Sequence, residues 1–281
     1  MKRIMLLLLT LSLFTANASA GGPWPAGKDK GFFKLGQRGI VSDRFYNPDG
    51  QIIPITTTGV YVTSFYGEYG LSDRWTVKGY VPLLFRSTLN EVRFEQSGRI
   101  EPGDQFTGLS DADLGISYAL NQNKALALGV TLRLGIPIGE TSGGETGLLQ
   151  SGDGEFNQLL QLDWGYSFWP KKQFVNGSIG FNNRTKGFSD EFHFGLDFGT
   201  QIGDKVTAIL KTYTVRSFFN GDAPQSNTGI FSNNIQFVSF GPEVSYQLSK
   251  NLGLSAGAFF ATAATNVLAS PSLEAGLFWK L

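Results

Sequence analysis

Hydrophobic and polar residues alternate with a period of two along most of this chain. From Ala125 to Ile136 every even position is aliphatic, whereas the odd positions carry alanine, glycine, threonine or arginine. Residues 191–199 repeat the pattern, with phenylalanine or leucine at even positions and polar residues or glycine at odd ones. Residues 154–168 follow the same rule. This period predicts β-strands with two different faces rather than helices.

Alternation alone fits both a soluble sandwich and a membrane barrel, so other features must decide between them. The apolar face often runs for five or six positions, close to the 9–11 residues of a membrane-spanning strand. Glycine is frequent on the polar face, where a narrow lumen needs space. Aromatic residues gather at strand ends, as in interfacial girdles: Tyr66, Tyr69, 164–169, Phe218, Phe219, Phe278 and Trp279. We therefore expect an all-β fold, a single antiparallel up-and-down transmembrane β-barrel.

The alternating segments predict about twelve strands in this barrel. They cover residues 31–46, 57–70, 74–86, 111–120, 124–137, 154–168, 173–187, 190–202, 206–219, 234–248, 252–264 and 270–281. Short connections alternate with longer ones such as 87–110, 138–153 and 220–233. In outer-membrane barrels the short turns are periplasmic and the long loops extracellular. An even strand count would then place both termini in the periplasm.

The N-terminal residues predict a cleaved secretory signal peptide over residues 1–20. Lys2 and Arg3 precede an apolar run, and Ala18-Ser19-Ala20 fits the small-x-small cleavage rule. The run is too short to span a bilayer. Residues 21–30 follow as a periplasmic leader or a plug of the lumen, and residues 31–281 form the barrel.

Composition argues against a nucleic-acid partner and against disulfide bonds. The full chain has a formal net charge of zero, and the two basic residues of the signal make the remainder slightly acidic, so no nucleic-acid partner is expected. The chain has no cysteine and therefore no disulfide. We expect no cofactor and no metal centre.

The C-terminal residues resemble the terminal-strand signal read by the barrel assembly machinery of the outer membrane. The matching positions are Glu274, Gly276, Trp279 and Leu281, with leucine where a terminal phenylalanine is usual. The alternative is an ordinary amphipathic edge strand. The expected partners are this machinery, outer-membrane lipid and a small-molecule solute.

Several turn and loop motifs resemble a family of bacterial outer-membrane barrels. They are GGPWP at 21–25, YGEYGLSDRW at 66–75, SGDGEFNQ at 151–158 and GFNNRTKGFSDEF at 180–192. The family carries the label of a meta-pathway of phenol degradation component, and many members are called transporters. The resemblance implies an outer-membrane barrel and the passage of small, hydrophobic or aromatic solutes.

The polar face carries opposed charges, which fit either a selective pore lining or ion pairs that fill the barrel. The candidate lining residues are Lys34, Glu68, Lys78, Asp111, Asp113, Arg133, Asp163, Arg184, His193, Asp197, Lys211 and Glu243, with Arg74 and Glu274 on the same face. A three-residue turn at 121–123 would place Asp111 opposite Arg133. The turn at 203–205 would place Asp197 opposite Lys211.

Two further features suggest a catalytic site and a calcium site. His193 is the only histidine, and its same-face neighbours, Glu191 and Gly195, include no serine for nucleophilic catalysis. The segment 143–155 combines glycine with carboxylates that calcium would accept, but it lacks dense ligand spacing, which favours a flexible outer loop. We therefore expect a passive channel or transporter. A structural or interaction barrel is the alternative, and an outer-membrane enzyme is third.

Overall fold

The computed structural model describes residues 22–121, 125–224 and 231–281, so the predicted signal peptide at 1–20 lies outside the described residues. These ranges contain sixteen strands, listed in chain order: β1 Gly31–Tyr46, β2 Ile52–Gly70, β3 Trp75–Leu89, β4 Val92–Arg93, β5 Ile100–Glu101, β6 Asp104–Gly108, β7 Ala112–Ala119, β8 Leu126–Ile136, β9 Asn157–Ser167, β10 Gln173–Arg184, β11 Glu191–Ile202, β12 Val206–Ser217, β13 Gln236–Gln247, β14 Leu252–Thr265, β15 Val267–Leu268 and β16 Ser272–Lys280. In this part of the chain no helix is long and apolar enough to cross a membrane.

Twelve of these strands form one closed antiparallel barrel. Each long strand pairs with the next one along the chain, and β1 pairs with both β2 and β16. The closing seam matches Gly36 with Gly276 and Arg38 with Glu274. All twelve predicted strands are therefore present. The structure extends β2 to Ile52 and β3 to Leu89, and it adds short strands in the connection that was predicted to be irregular from 87 to 110.

Burial in this molecule is inverted relative to a soluble protein. Large apolar side chains on the outer face are exposed, among them Leu160 at 56% and Leu273 at 62%. The least exposed side chains include Glu155 at 1% and Asn233 at 0%. A continuous exposed apolar surface would be costly in water but is favourable against hydrocarbon. The outer face is therefore the lipid face.

Two residues assigned to the aromatic girdle lie on the opposite face. Tyr66 points inward and bonds the Glu68 carboxylate, and Phe278 is only 4% exposed. The prediction was wrong for these two because neighbouring strand residues face opposite sides, so only one of Phe278 and Trp279 can meet lipid.

The predicted register between β7 and β8 is also wrong. Arg133 pairs with Gly115, not with Asp111, and the register is displaced by four residues. The prediction assumed a three-residue turn, but the Leu120 amide bonds the Leu128 carbonyl, so the connection is longer. The Asn121 side chain bonds the backbone of Leu126 and Leu128 across it. An even displacement keeps every side chain on its predicted face.

The predicted register between β11 and β12 is confirmed. Asp197 lies opposite Lys211, as the short turn at 203–205 implies. This hairpin has a tight turn with Gly203 at a φ of 63°, which favours glycine.

The register of β7 and β8 can be tested by cross-linking because the chain has no cysteine of its own. Ser117 lies opposite Thr131, and their hydroxyl oxygens are 2.7 Å apart. We expect the double variant S117C/T131C to form a disulfide on mild oxidation, seen as a mobility change that reductant reverses.

The matched control is D113C/T131C, which a three-residue turn would have brought together. We expect no disulfide in this variant. Efficient bridging of the control pair, without bridging of the first pair, would contradict the observed register.

Candidate functional site

Ion pairs lie along the inner wall on both sides of the closing seam. The Lys34 amine lies 3.3 Å from Glu243 and 3.7 Å from Glu274, while Lys211 reaches Glu243 at 3.4 Å and Arg38 reaches Glu274 at 3.2 Å. Small inner residues make room for this arrangement. A Cβ at Gly276 would lie 2.5 Å from the Lys34 side chain, so the glycine leaves space for the lysine to cross the neighbouring strand in this position.

A second charged cluster surrounds Arg184 at the end of the barrel that carries the long loops. Its guanidinium contacts Asp153 at 2.6 Å, Glu155 at 2.7 Å and Glu191 at 2.9 Å, and it stacks 4.4 Å from the centre of the Phe188 ring. The Arg184 side chain is only 7% exposed. One planar cation with five donors thereby joins the connection between β8 and β9 to the β10–β11 hairpin.

One arginine faces three carboxylates in this cluster, so the carboxylates compete for its charge. Burial raises the pKa of Asp153 to about 7, and the nearby charges of Glu155 and Asp111 act in the same direction. The Glu155 amide and the Arg184 guanidinium oppose this rise without cancelling it. Asp153 is therefore expected to exchange a proton near neutral pH.

The connection 137–156 is held at the mouth of the barrel by two other carboxylates. Asp104 accepts hydrogen bonds from the amides of Glu145 and Thr146, both at 3.0 Å. Asp111 accepts the amides of Gly139 at 2.8 Å and Asp153 at 3.0 Å. The predicted flexible outer loop is thus a folded one. Its carboxylates bond arginine and backbone amides, and no group of three or more metal-binding side chains is found among the described residues.

The middle of the inner wall carries a hydrogen-bonded chain of side chains. His193 contacts the Glu191 carboxylate at 2.9 Å through Nε2 and the Tyr213 hydroxyl at 2.5 Å through Nδ1. Tyr213 in turn bonds the Arg133 guanidinium of β8. Nearer the short-turn end, Asp163 accepts a hydrogen bond from Thr131.

Residues 22–25 lie inside the short-turn end of the barrel. A Cβ at Gly165 would meet Pro23 and Trp24 at 2.7 Å, and one at Gly22 would lie 3.1 Å from the Asn176 amide. The cavity left between this segment and the wall residues Lys78 and Asp163 measures about 10 Å³, room for about one water molecule.

Backbone hydrogen bonds fix the chain just after this segment. The Ala26 amide bonds Thr76 at 3.2 Å, and the Lys28 amide bonds Asp73 at 3.3 Å. Both partners belong to β3 or to the turn before it, so the leader is tied to the rim of the barrel.

Comparison with known proteins identifies the family of this chain. A family model described as "Putative MetA-pathway of phenol degradation" matches residues 42–275, which is most of the sequence. The chain belongs to this family. No curated protein matches the chain.

Solved structures of similar fold are also found. A COG4313 outer membrane channel from Pseudomonas putida F1 is 13% identical, with 94% of this chain and 100% of that chain covered and a TM-score of 0.62. The NanC porin is 9% identical, with 88% and 100% covered and a TM-score of 0.51. The translocator domain of the autotransporter NalP from Neisseria meningitidis is 11% identical, with 90% and 88% covered and a TM-score of 0.51. At these identities the similarity establishes the fold of an outer-membrane barrel.

The structure distributes the predicted lining residues over several separate parts of the barrel. Eleven of the twelve lie on inward-facing positions of the strands, and Asp111 lies in the connection between β6 and β7. Lys34, Lys211 and Glu243 join one ion-pair network, Lys78 lies 3.9 Å from Glu68, and Arg184 joins another cluster. Asp197 lies opposite Lys211, yet Lys211 contacts Glu243 instead.

Several residues of these polar clusters were not predicted from the sequence. Tyr213 and Tyr66 lie on the polar face of their strands. The position of a tyrosine hydroxyl on that face could have predicted a place in the inner wall. Glu191 shares the face of His193 and was noted only as its neighbour. Asp153 and Glu155 belong to a loop, and alternation gives no information on which strand a loop carboxylate reaches.

Removing the arginine of the buried cluster should destabilise the barrel. In R184Q the carboxylates of Glu155 and Glu191 lose their shared cation, and we expect a loss of about 3–5 kcal/mol in unfolding free energy. Denaturant unfolding in detergent, followed by tryptophan fluorescence and heat-modifiable gel mobility, measures it.

The matched control is R38Q, since the Arg38 side chain is 53% exposed and has one carboxylate at 3.2 Å. Its loss should stay below about 1 kcal/mol. In the double variant R184Q/E155Q part of the first loss should return. Equal losses for R184Q and R38Q would contradict the role of the cluster.

The raised pKa of Asp153 predicts a pH dependence of stability. A carboxyl whose pKa is about 7 in the folded chain and 3.8 when unfolded stabilises the fold fully below the lower value. This contribution is lost as pH rises towards 7. Wild type should therefore lose more stability between about pH 4 and pH 7 than D153N, whose side chain does not titrate.

The control for this experiment is D43N, because the Asp43 side chain is 73% exposed. It should reproduce the pH profile of wild type. A D153N profile that coincides with wild type over the whole range would show that Asp153 does not retain its proton in the folded state.

Proposed function

We propose that this protein is an integral outer-membrane channel for the passive passage of small solutes. The observation that carries the proposal is the inner wall, which is lined by charged and polar side chains and small residues while the outer face is apolar. A wall of this kind can hold water and discriminate between solutes by their charge.

The geometry of the charged groups supports passage along the axis. Lys34 on β1 reaches Glu274 on the neighbouring strand β16 and Glu243 on β13, two strands further along the wall, with Gly276 beneath the lysine. Side chains held flat against the wall by ion pairs leave the axis less obstructed than side chains that extend across it. They also offer a solute alternating charges rather than one sign.

The segment 22–25 is the plug of this channel in our proposal. It fills the short-turn end and leaves about 10 Å³ beside Lys78 and Asp163. Passage would then require the segment to move. Because only the leader between Ala26 and Gly31 connects it to β1, it can leave without breaking any strand pairing.

The solute class follows from the family and remains a proposal. The family description names phenol degradation, and two of the similar structures are called a channel and a porin. Small aromatic or hydrophobic solutes therefore fit best. An apolar cluster of Phe85, Val60 and Leu268 lies towards the long-loop end of the barrel, where Phe231 packs on Phe85 at 5.7 Å.

The orientation and assembly of the barrel complete the proposal. With the short turns in the periplasm, both termini lie there and the folded connection 137–156 faces the exterior. The C-terminal positions Glu274, Gly276, Trp279 and Leu281 would be read by the barrel assembly machinery during insertion. In the barrel Glu274 and Gly276 face inward and Trp279 packs outside on Phe33 at 5.4 Å.

Single-channel recording in planar bilayers tests this function. We expect wild type to give discrete current steps and P23G/W24G to give larger ones, because the variant removes the two rings that fill the lumen beside Gly165. K28A is the matched control: it changes the same leader where Lys28 is exposed, and its steps should equal those of wild type.

Folded protein that gives no current steps, with or without Pro23 and Trp24, would contradict the channel and favour a structural barrel. Current steps that do not change in P23G/W24G would leave the channel in place and contradict the plug.

A further inference from the structure

The inner wall contains one histidine in a chain of four side chains. His193 Nε2 lies 2.9 Å from a Glu191 carboxylate oxygen, and Nδ1 lies 2.5 Å from the Tyr213 hydroxyl. The Arg133 guanidinium, which comes from β8, bonds the same hydroxyl. In the described part of the chain no carboxylate lies within 4.0 Å of Arg133, unlike Lys34, Lys78, Arg184 and Lys211.

The donors and acceptors of this chain can be satisfied in only one direction when His193 is neutral. An ionised carboxylate only accepts hydrogen bonds, so Nε2 must carry the proton that faces Glu191. Nδ1 is then an acceptor and receives the Tyr213 hydroxyl proton. Arginine only donates, so the Tyr213 oxygen accepts from Arg133. The relay runs from Arg133 through Tyr213 and His193 to Glu191.

Protonation of His193 reverses one link of this relay. Nδ1 then also donates, so the Tyr213 oxygen accepts from both His193 and Arg133, and its own proton turns away. The result is two cations on one phenol oxygen in the middle of the lumen.

Charged groups of both signs surround His193. On its own strand His193 faces Glu191, but that carboxylate already bonds Arg184 at 2.9 Å and Asn182 at 3.1 Å from β10. From the other side the charged groups are Arg133 of β8 and Asp113 of β7, with Tyr213 on β12. Arg133 and Asp113 carry opposite charges, and Arg184 is shared by three carboxylates, so a proton on His193 makes the net charge of this part of the wall more positive by one.

We propose that His193 is a specificity-determining residue whose protonation shifts the ion preference of the channel towards anions. This inference rests on the proposed channel function. Histidine is the residue type whose charge most often changes between about pH 5 and pH 8, so the proposal is tested at pH values within this range. When His193 is neutral, Arg133 contacts the relay at its Tyr213 end and Arg184 contacts it at its Glu191 end.

The relay itself is tested without any measurement of current. The chain has a single histidine, so ¹⁵N-histidine labelling of the full mature chain, purified without a histidine tag, gives one imidazole in nuclear magnetic resonance spectra. We expect the Nε2–H tautomer at pH 8 and the doubly protonated ring at pH 5. A dominant Nδ1–H tautomer at pH 8, or a neutral ring at pH 5, would overturn the proposal.

The effect on selectivity is tested by reversal potentials in a potassium chloride gradient at pH 8 and pH 5. Wild type and H193Q contain the same carboxylates, so the difference between them isolates His193. We expect the chloride-to-potassium permeability ratio to rise on acidification by about two-fold more in wild type than in H193Q. An equal rise in both proteins would overturn the proposal.

The absence of any channel current is a separate outcome. If wild type gives no current at either pH, the proposed function fails, while the tautomer measurement still decides whether the relay exists. Y213F provides the second check on current, since it removes the hydroxyl that joins His193 to Arg133. We expect its pH-dependent rise to be smaller than that of wild type, and an unchanged rise would overturn the coupling between the two cations.

Discussion

The structure depends on one constraint: a chain in hydrocarbon must satisfy its backbone hydrogen bonds within itself. A closed antiparallel sheet does so without a free edge, and the pairing of β1 with both β2 and β16 provides the closure. Closure also separates the residues into two sets. One set meets lipid, and the other is confined to a lumen where each charge needs a partner or water.

The pairing of the charged side chains follows from that confinement. The seam network of Lys34, Glu243 and Glu274 holds the first and last strands together, and the Arg184 cluster holds a long connection over the opposite wall. In both groups each charged side chain lies beside an opposite charge, which avoids the free-energy cost of burying a charge alone. The Tyr213–Arg133 link is different, because a phenol neutralises no charge. In our proposal this link is where a proton on His193 acts.

Much of the fold could be predicted from alternation, because one face of each strand must be apolar over the width of the membrane. All twelve strands and the inward placement of residues such as Arg133 and His193 follow from that pattern. The pairing of Asp111 with Arg133 failed because register depends on the length of a turn, which alternation does not encode. The contacts of Arg184 with Asp153 and Glu155 depend on how a loop folds back, and that is a tertiary property.

The central claim is that the inner wall is accessible to water-borne solutes and the outer wall is not. Single cysteines at neighbouring positions of β10 test it, with S178C on the inner face and I179C on the outer one, where Ile179 is 45% exposed. The barrel is reconstituted in lipid vesicles and treated with a charged, membrane-impermeant thiol reagent. The account predicts labelling of S178C at a much higher rate than I179C. Labelling of I179C alone, or of neither residue in a folded barrel, would contradict it.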